Sequence, residues 1–281
     1  MKEIENLKLQ ILKEYPRLNK ESKFSFRCHP DVACFNQCCG DVNIFLTPYD
    51  IIRLKHNLGI SSTELLKKYT ISPFDQNLKY PVILMQMDPK SNKCPFVTEQ
   101  GCGVYKDRPW ACRMYPLGLA TPGEDSDELD EEFYFLLKES VCKGFEENRE
   151  ISVSKWLDDQ GISEYNKMGM DFKEITTHKY FMEGGQLTPD RVEMFFLACY
   201  DVDRFRQFVF GSSFFDKFEV DEQTKARIKE DDLEMLNFGY QWLKFALFGA
   251  KTMVMKDDVV VTKKKELVAK GKLSRDHSPK E

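Results

Sequence analysis

Eight of the nine cysteines lie between residues 28 and 142, and four of them fall within CHPDVACFNQCC, residues 28–39. No other feature constrains the fold as much. Thiols this crowded are joined in pairs, kept as a reactive set, or turned toward something inorganic. A chain of 281 residues can bury a core without cross-links, unlike secreted domains below roughly 80 residues. The odd total also leaves one thiol over in any pure disulfide scheme.

The compartment follows from the same reasoning. The opening MKEIENLKLQILKEYPRL spreads charge through its apolar residues and lacks the unbroken apolar core of an export signal. The densest apolar run, Phe238 to Met255, is interrupted by Gly239, Gln241, Lys244 and Lys251. It falls short of the roughly 18 apolar residues of a membrane span. The expectation is a cytoplasmic protein with no membrane partner, its thiols held reduced. The net charge of −5 argues against a nucleic-acid partner, which usually meets a basic surface.

The elements read as α+β. A short amphipathic helix (1–23) ends at Pro16. A loop-rich cysteine-cluster domain (24–150) follows, with short strands and two or three helices. VNIFL, PVILMQMD, KCPFV, GCGVY and FYFLL read as strands. TPYDIIRLKHNLG reads as a helix, with Thr47 as cap, Pro48 in the first turn, Asp50 at the positive end and Gly59 at the exit. SSTELLKKY opens on a Ser61/Glu64 capping box. After residue 150 a mainly helical region (151–252) takes over, including LTPDRVEMFFLACYDVDRFRQFVF with Thr188 as cap. A long amphipathic segment then runs from Asp221 to about Gly249. The lysine-rich remainder (253–281) is expected to be a disordered tail.

Thiolates without histidines at ligand spacing suit zinc or iron–sulfur clusters, both of which favour soft sulfur ligands. A structural zinc site commonly takes Cys-x2-Cys pairs, and this chain has none: its spacings are x5, x3, zero, x7 and x9. Side chains of adjacent Cys38 and Cys39 tend to diverge, which fits two centres, or a larger cluster with one thiol outside it. Arg108 and Arg113, with Lys106 nearby, flank Cys112 and are suited to sit beside an anionic cluster and tune it. Tyr105, Tyr115, Trp110 and Phe96 are expected to shield the site from water. Cys199, within MFFLACYDV, reads as a core residue. His29 is a possible substitute ligand, and His56 and His178 read as solvated.

The run FRC…C…CCGDVNIFLTPYDIIRL, then CPF, GCGVYKDRPWACRMYP and the lone Cys142, resembles the YkgJ family of cysteine-cluster proteins. The likeness covers roughly residues 24–145 and is most specific from Tyr105 to Pro116. It implies a zinc- or iron-chelating domain, with Cys28, Cys34, Cys38, Cys39, Cys94, Cys102, Cys112 and Cys142 as the metal-binding set. In the shorter family form the opening cysteines are closer than Cys28 and Cys34 are here. The opening cluster is also similar to that of flagellin lysine methylases, which implies methyl transfer to protein side chains as an alternative. The chain shows no Gly-rich strand–turn–helix fingerprint for a nucleotide-like cofactor, and no catalytic set stands out.

The reading is therefore a metal-binding protein holding an iron–sulfur cluster, such as a 4Fe–4S centre, in an electron-transfer or redox-support role. The C-terminal helices would dock a protein partner. A structural zinc scaffold is the alternative.

Overall fold

The computed structural model describes residues 15–73, 79–120 and 132–262. The expected N-terminal helix and the acidic run from Glu124 fall outside the described residues except at their last positions, and the tail does so beyond residue 262.

The fold is α+β, with small antiparallel strand pairs in the first half and helices dominating the second. In chain order, the first half contains β1 (Lys23–Ser25), β2 (Phe45–Leu46), α1 (Pro48–Leu58), α2 (Ser62–Tyr69), β3 (Thr70–Ile71) and β4 (Ile83–Met85). These are followed by β5 (Val97–Thr98), β6 (Gly101–Cys102), α3 (Trp110–Met114), β7 (Leu117–Ala120), β8 (Phe133–Leu136) and β9 (Glu150–Ser152). The second half contains α4 (Val153–Asp159), α5 (Ile162–Thr176), α6 (Lys179–Met182), α7 (Pro189–Cys199) and α8 (Val202–Gly211). It ends with α9 (Phe214–Lys217), β10 (Phe218–Glu219), α10 (Glu222–Glu230), α11 (Asp232–Phe248) and β11 (Val254–Met255).

Local signals account for α1. The Thr47 hydroxyl accepts from the Asp50 amide, and the Asp50 carboxylate accepts from the Thr47 amide at 2.7 Å, a reciprocal capping box. Gly59 then ends the helix at φ 65°, a left-handed conformation glycine adopts without strain. The 2–4–3 sheet lies nearby, with Phe45 opposite Leu84 and Thr70 opposite Met85.

Two segments expected to be continuous are each divided. Residues 187–210 break at Tyr200 and Asp201, where Asp201 caps α8 and accepts hydrogen bonds from the Ser62 and Thr63 hydroxyls, both at 2.8 Å. Residues 221–249 break at Asp231, whose carboxylate caps α11 through the Leu233 and Glu234 amides. The segment beginning at 253, expected as tail, carries β11, which pairs with β10. Met253 packs against the larger core, and Val254, though exposed, is held in the strand pair opposite Glu219.

The hydrophobic cores do not follow the division expected at residue 150. The larger one joins Ile51, Leu54, Leu65, Ile83 and Val104 from the first half to Phe195, Phe205, Tyr240 and Leu243 from the second. The smaller one joins Phe24, Phe26, Met114 and Leu117 to Ile151, Val153, Trp156 and Ile162. Helices α1 and α2 pack against Leu46, Ile83 and Met85 of the first-half sheet as well as against the later helices, so one core spans both halves. Polar contacts reinforce this joint: Lys55 of α1 reaches Asp203 and Asp232, each at 2.8 Å, and Arg206 bridges the same two carboxylates.

Candidate metal centre

All nine cysteines are free thiols. Cys199 lies fully buried in the larger core, where desolvation pushes its thiol well above the ordinary value. The other eight are delivered by turns and element ends, and the backbone sorts them into two neighbourhoods.

The first neighbourhood forms where residues 27–34 meet residues 142–144. The Arg27 amide donates to the Gly144 carbonyl at 3.0 Å. Gly144 permits this approach, since a Cβ there would meet the Phe26 ring at 2.7 Å and the Arg27 carbonyl at 2.9 Å. Cys28 is thereby set beside Cys142, and the Lys143 amide donates to the Cys34 sulfur at 3.1 Å. The five-residue spacer after Cys28 is taken up by turns, from the Val32 amide to the His29 carbonyl and from the Phe35 amide to the Val32 carbonyl. Burial pushes the Cys28 thiol up to about 11, with the charges of Cys38, Cys34 and Cys142 adding to the effect. Cys28 is exposed, Cys142 partly so and Cys34 buried, so this group reaches the surface at Cys28.

The second neighbourhood is built around the β5–β6 hairpin. The Cys94 amide donates to the Cys39 carbonyl at 2.7 Å, and Val97 pairs with Cys102. Burial raises the thiols of both Cys94 and Cys102. The nearby Phe96 and Val97 amides act to lower Cys94, and the Val104 amide to lower Cys102, without offsetting burial; the Val97 amide itself donates to the Cys94 carbonyl at 3.2 Å. Cys112 enters from α3, its thiol pushed up to about 12 by burial and then by Cys94, Asp50 and Cys102. The opening loop is pinned to this hairpin by Asn36, whose side-chain amide donates to the Thr98 carbonyl at 2.9 Å. The Phe35 ring lies over Gly101, whose φ of 119° also requires glycine.

Cys38 and Cys39 join the two groups, in a 3-10 turn. The two thiols act on one another, which holds Cys38 below and Cys39 above the ordinary range. Burial and the charges of Cys94 and Cys112 raise Cys39 further. The sulfurs are neighbours rather than a preformed cage. Among the described residues no three His, Cys, Asp or Glu side chains are grouped so that they could hold one ion.

The two arginines flanking Cys112 have different tasks. Arg113, 9% exposed, is spent on main-chain carbonyls. It donates from Nε to Arg108 at 3.0 Å, from one terminal nitrogen to Gln160 at 2.8 Å, and from the other to Lys106. It thus clamps the 105–108 turn to the end of α4 and makes no hydrogen bond to sulfur. Arg108 bonds the Tyr105 carbonyl and the Gln160 side chain and lies 3.8 Å from the Tyr105 ring centre. Its charge acts to lower the thiols of Cys28, Cys102 and Cys112. The His29 ring is engaged by Glu147 at 3.1 Å and faces Asp31 at 3.6 Å. His178, read as solvated, is partly buried and stacks on Phe248 with ring centres 3.7 Å apart.

Two further residues have roles in this region beyond those read from the sequence. Asp50 is fully buried, and its second carboxylate oxygen accepts from the Trp110 amide at 2.8 Å. It therefore satisfies a first-turn amide of the helix that carries Cys112, while burial raises its pKa to about 6. Its capping role in α1 was legible; its reach to α3 was not. The Tyr115 hydroxyl is buried beside Cys142, without a well-shaped hydrogen bond to that thiol or to any other group among the described residues. Burial first, then Cys142 and Cys38, push the phenol above its ordinary range.

This donor set fits a thiolate-bound metal. A buried hydroxyl lacking a well-shaped acceptor lies beside Cys142, an amide donates to Cys34, and the Arg108 charge acts on Cys28, Cys102 and Cys112. Residues 27–151 match a family model, CxxCxxCC, described as a "putative zinc- or iron-chelating domain". Over that stretch the chain is similar to the YkgJ-type cysteine-cluster family. No curated protein and no solved structure matches it. The family's motif has two-residue spacers where this chain has five and three. The function this defines is metal binding, with zinc or iron as the metal. Among the described residues no helix is long and apolar enough to cross a membrane.

Proposed function

We propose that the protein holds iron–sulfur on its cysteine domain and serves as an electron carrier or redox support for another protein. The observation behind this reading is the all-sulfur donor set, with the Lys143 amide on Cys34 and the Tyr115 hydroxyl beside Cys142. When bound, an iron–sulfur cluster supplies one-electron uptake and release at a potential set by burial and by hydrogen bonds to sulfur.

The eight cysteines from Cys28 to Cys142 would hold it. The Lys143 amide and Tyr115 would stabilise Cys34 and Cys142 as thiolates, and Arg108 would offset the negative charge. Buried Phe96 and Met114 restrict water from the inner side. Exposed Cys28 and Cys38 leave one edge within reach of a partner.

The test is anaerobic purification of the full chain, followed by absorbance, iron and acid-labile sulfide measurements. The expected result is a brown protein absorbing broadly near about 400 nm, with iron and sulfide in equal amounts. A colourless protein with stoichiometric zinc replaces this reading with a structural zinc module, the other half of the family's description.

A further inference from the structure

We propose that the outer face of the β2–β4–β3 sheet is a docking surface for an acidic redox protein. That the partner is a redox protein rests on the reading above; the surface and its charge do not.

Strand register places three apolar side chains in one row across this sheet. Phe45 lies opposite Leu84, and Leu84 lies opposite Ile71. Residues directly opposite one another point to the same face. The neighbouring positions Leu46, Ile83 and Met85 are buried in the larger core, so the Phe45 row points outward. Phe45 is 56% exposed and Ile71 46% exposed, with Leu84 half-buried between them. The core is served by the inner face, and the outer row is left to solvent.

The segments that frame the sheet are rich in lysine. Lys67 and Lys68 end α2 just before β3, Lys79 precedes β4, and Lys90 and Lys93 lie in the turn after it. Among the described residues none of these lysines is in an ion pair. The carboxylates of the same segments are fewer. Asp41 accepts from the Asn92 side chain, and Asp88 from the Ser91 amide and hydroxyl, each at 2.8 Å. Glu64 lies in the first turn of α2, at the end away from β3. In a chain of net charge −5, lysines left over around an apolar row select an acidic partner.

The size of the row fits a brief encounter. Its exposed area is on the order of 200–300 Å², against roughly 800 Å² per partner in a stable interface. Redox encounters use the smaller class of surface. The face is also joined to the cysteines, because β2 and β4 continue beyond the sheet as a paired ribbon. The Asp41 amide donates to the Asn92 carbonyl at 2.9 Å, Gly40 bridges Lys93, and the Cys94 amide donates to the Cys39 carbonyl at 2.7 Å. Cys39 thus lies within about 20 Å of Phe45 along an extended strand.

The experiment titrates the full-length chain, labelled at Ile and Leu methyl groups, with an acidic flavodoxin and separately with a basic cytochrome c. Flavodoxin should shift the methyl signals of Ile71 and Leu84 and leave that of fully buried Ile175 in place; cytochrome c should move none of them. Affinity for flavodoxin should fall about tenfold between about 50 and 200 mM salt. Phe45→Ser should weaken it by about tenfold, and Lys90→Glu combined with Lys93→Glu by at least as much. Lys229→Glu, on α10, should leave it unchanged. If Phe45→Ser melts early, the lysine variants, at exposed positions, still decide.

Shifts confined to other methyl groups, binding indifferent to salt and to the lysine variants, or equal binding of cytochrome c would each overturn the proposal. So would a chain that sediments by itself as a dimer and is dissociated by Phe45→Ser, since the face then belongs to a second copy. Iron and sulfide analysis of the same samples tests the earlier reading separately. A colourless, zinc-loaded chain overturns that reading, and its titration still decides whether an acidic protein docks here.

Discussion

The helices around Tyr200, Phe205 and Tyr240 and the loops that carry the eight cysteines are held in place by different physics. In the helical core, Phe195, Phe205, Tyr240 and Leu243 are fully buried. Each such side chain contributes about 1.5–3 kcal/mol through burial, and the chain supplies both sides of every contact. In the cysteine loops, the regular elements are two or three residues long, apart from five-residue α3. The side chains that converge there are thiols raised by burial and by one another. One region is closed by its own contacts. The other presents sulfur and hydrogen-bond donors that find their full complement of partners only with a guest.

The largest expected effect follows directly. Stripping metal from the folded protein with a chelator should abolish amide-exchange protection in residues 28–39 and 94–112 while leaving 195–209 and 235–247 protected. Structural metal sites contribute on the order of 10 kcal/mol to the segments they organise. Equal loss in both regions would break the comparison, because the helical core would then depend on the guest as well.

The converse substitution is Phe205→Ala. This ring is fully buried against Trp242, 5.3 Å between ring centres, and against Gly239. Truncation should cost about 3–5 kcal/mol in urea denaturation with metal content per folded chain unchanged. Loss of metal in step with stability would show that the two regions fold as one unit.

A smaller effect separates the regions by pH. Burial acts to raise the pKa of Asp232, but hydrogen bonds from Lys55, Arg206 and His56 outweigh it and bring the value down to about 2. A carboxylate lowered from its unfolded value near 3.8 stabilises the fold above about pH 4. That contribution is lost as pH falls from about 4 toward 2, and is on the order of 2 kcal/mol. Metal-free protein isolates it, since acid also displaces metal from thiolates. Urea midpoints at pH 5 and pH 2.5 should fall further for the wild type than for Asp232→Asn. Equal falls would place the acid sensitivity elsewhere.

The same contrast explains what the sequence made legible. Features written in neighbouring residues were readable: the Thr47, Pro48, Asp50 and Gly59 punctuation of α1, the strand character of Ile83–Met85, and the core position of Cys199. Features set by distant partners were not. Asp201 divides α7 from α8 partly because Ser62 and Thr63 arrive to hydrogen-bond it. Thr188 takes the extended backbone of a cap, yet its side chain makes no capping bond. The boundary expected at residue 150 followed composition, whereas the cores follow which faces of α1, α2 and β1 need covering. In the cysteine region, residue type pointed to metal. The sorting of the thiols depends on Gly144 meeting Arg27 across more than a hundred residues, and no spacing rule contains that. Arg113 looked like a neighbour of the cluster because it follows Cys112, but on a short helix the next residue points elsewhere, here to three carbonyls.

The smallest effect sharpens the comparison most, because its sign should depend on the guest. Tyr115 carries a buried hydroxyl beside Cys142 with no well-formed acceptor among the described residues. Such a group costs about 1–3 kcal/mol when left unsatisfied. In metal-free protein Tyr115→Phe removes that cost and should raise stability by about 1 kcal/mol or leave it unchanged. With metal bound, Cys142 becomes a thiolate and a strong acceptor, so the same substitution deletes a charge-assisted hydrogen bond. Stability should then fall, and for an iron–sulfur guest the midpoint potential should become more negative, since donors to sulfur favour the reduced state. Paired thermal melts with and without metal, together with a redox titration, read both signs. A loss of equal size in the two states would mean that Tyr115 serves packing against Phe26 alone, where the rings meet edge-on at 6.0 Å. The cysteine loops would then be as self-sufficient at that point as the helical core.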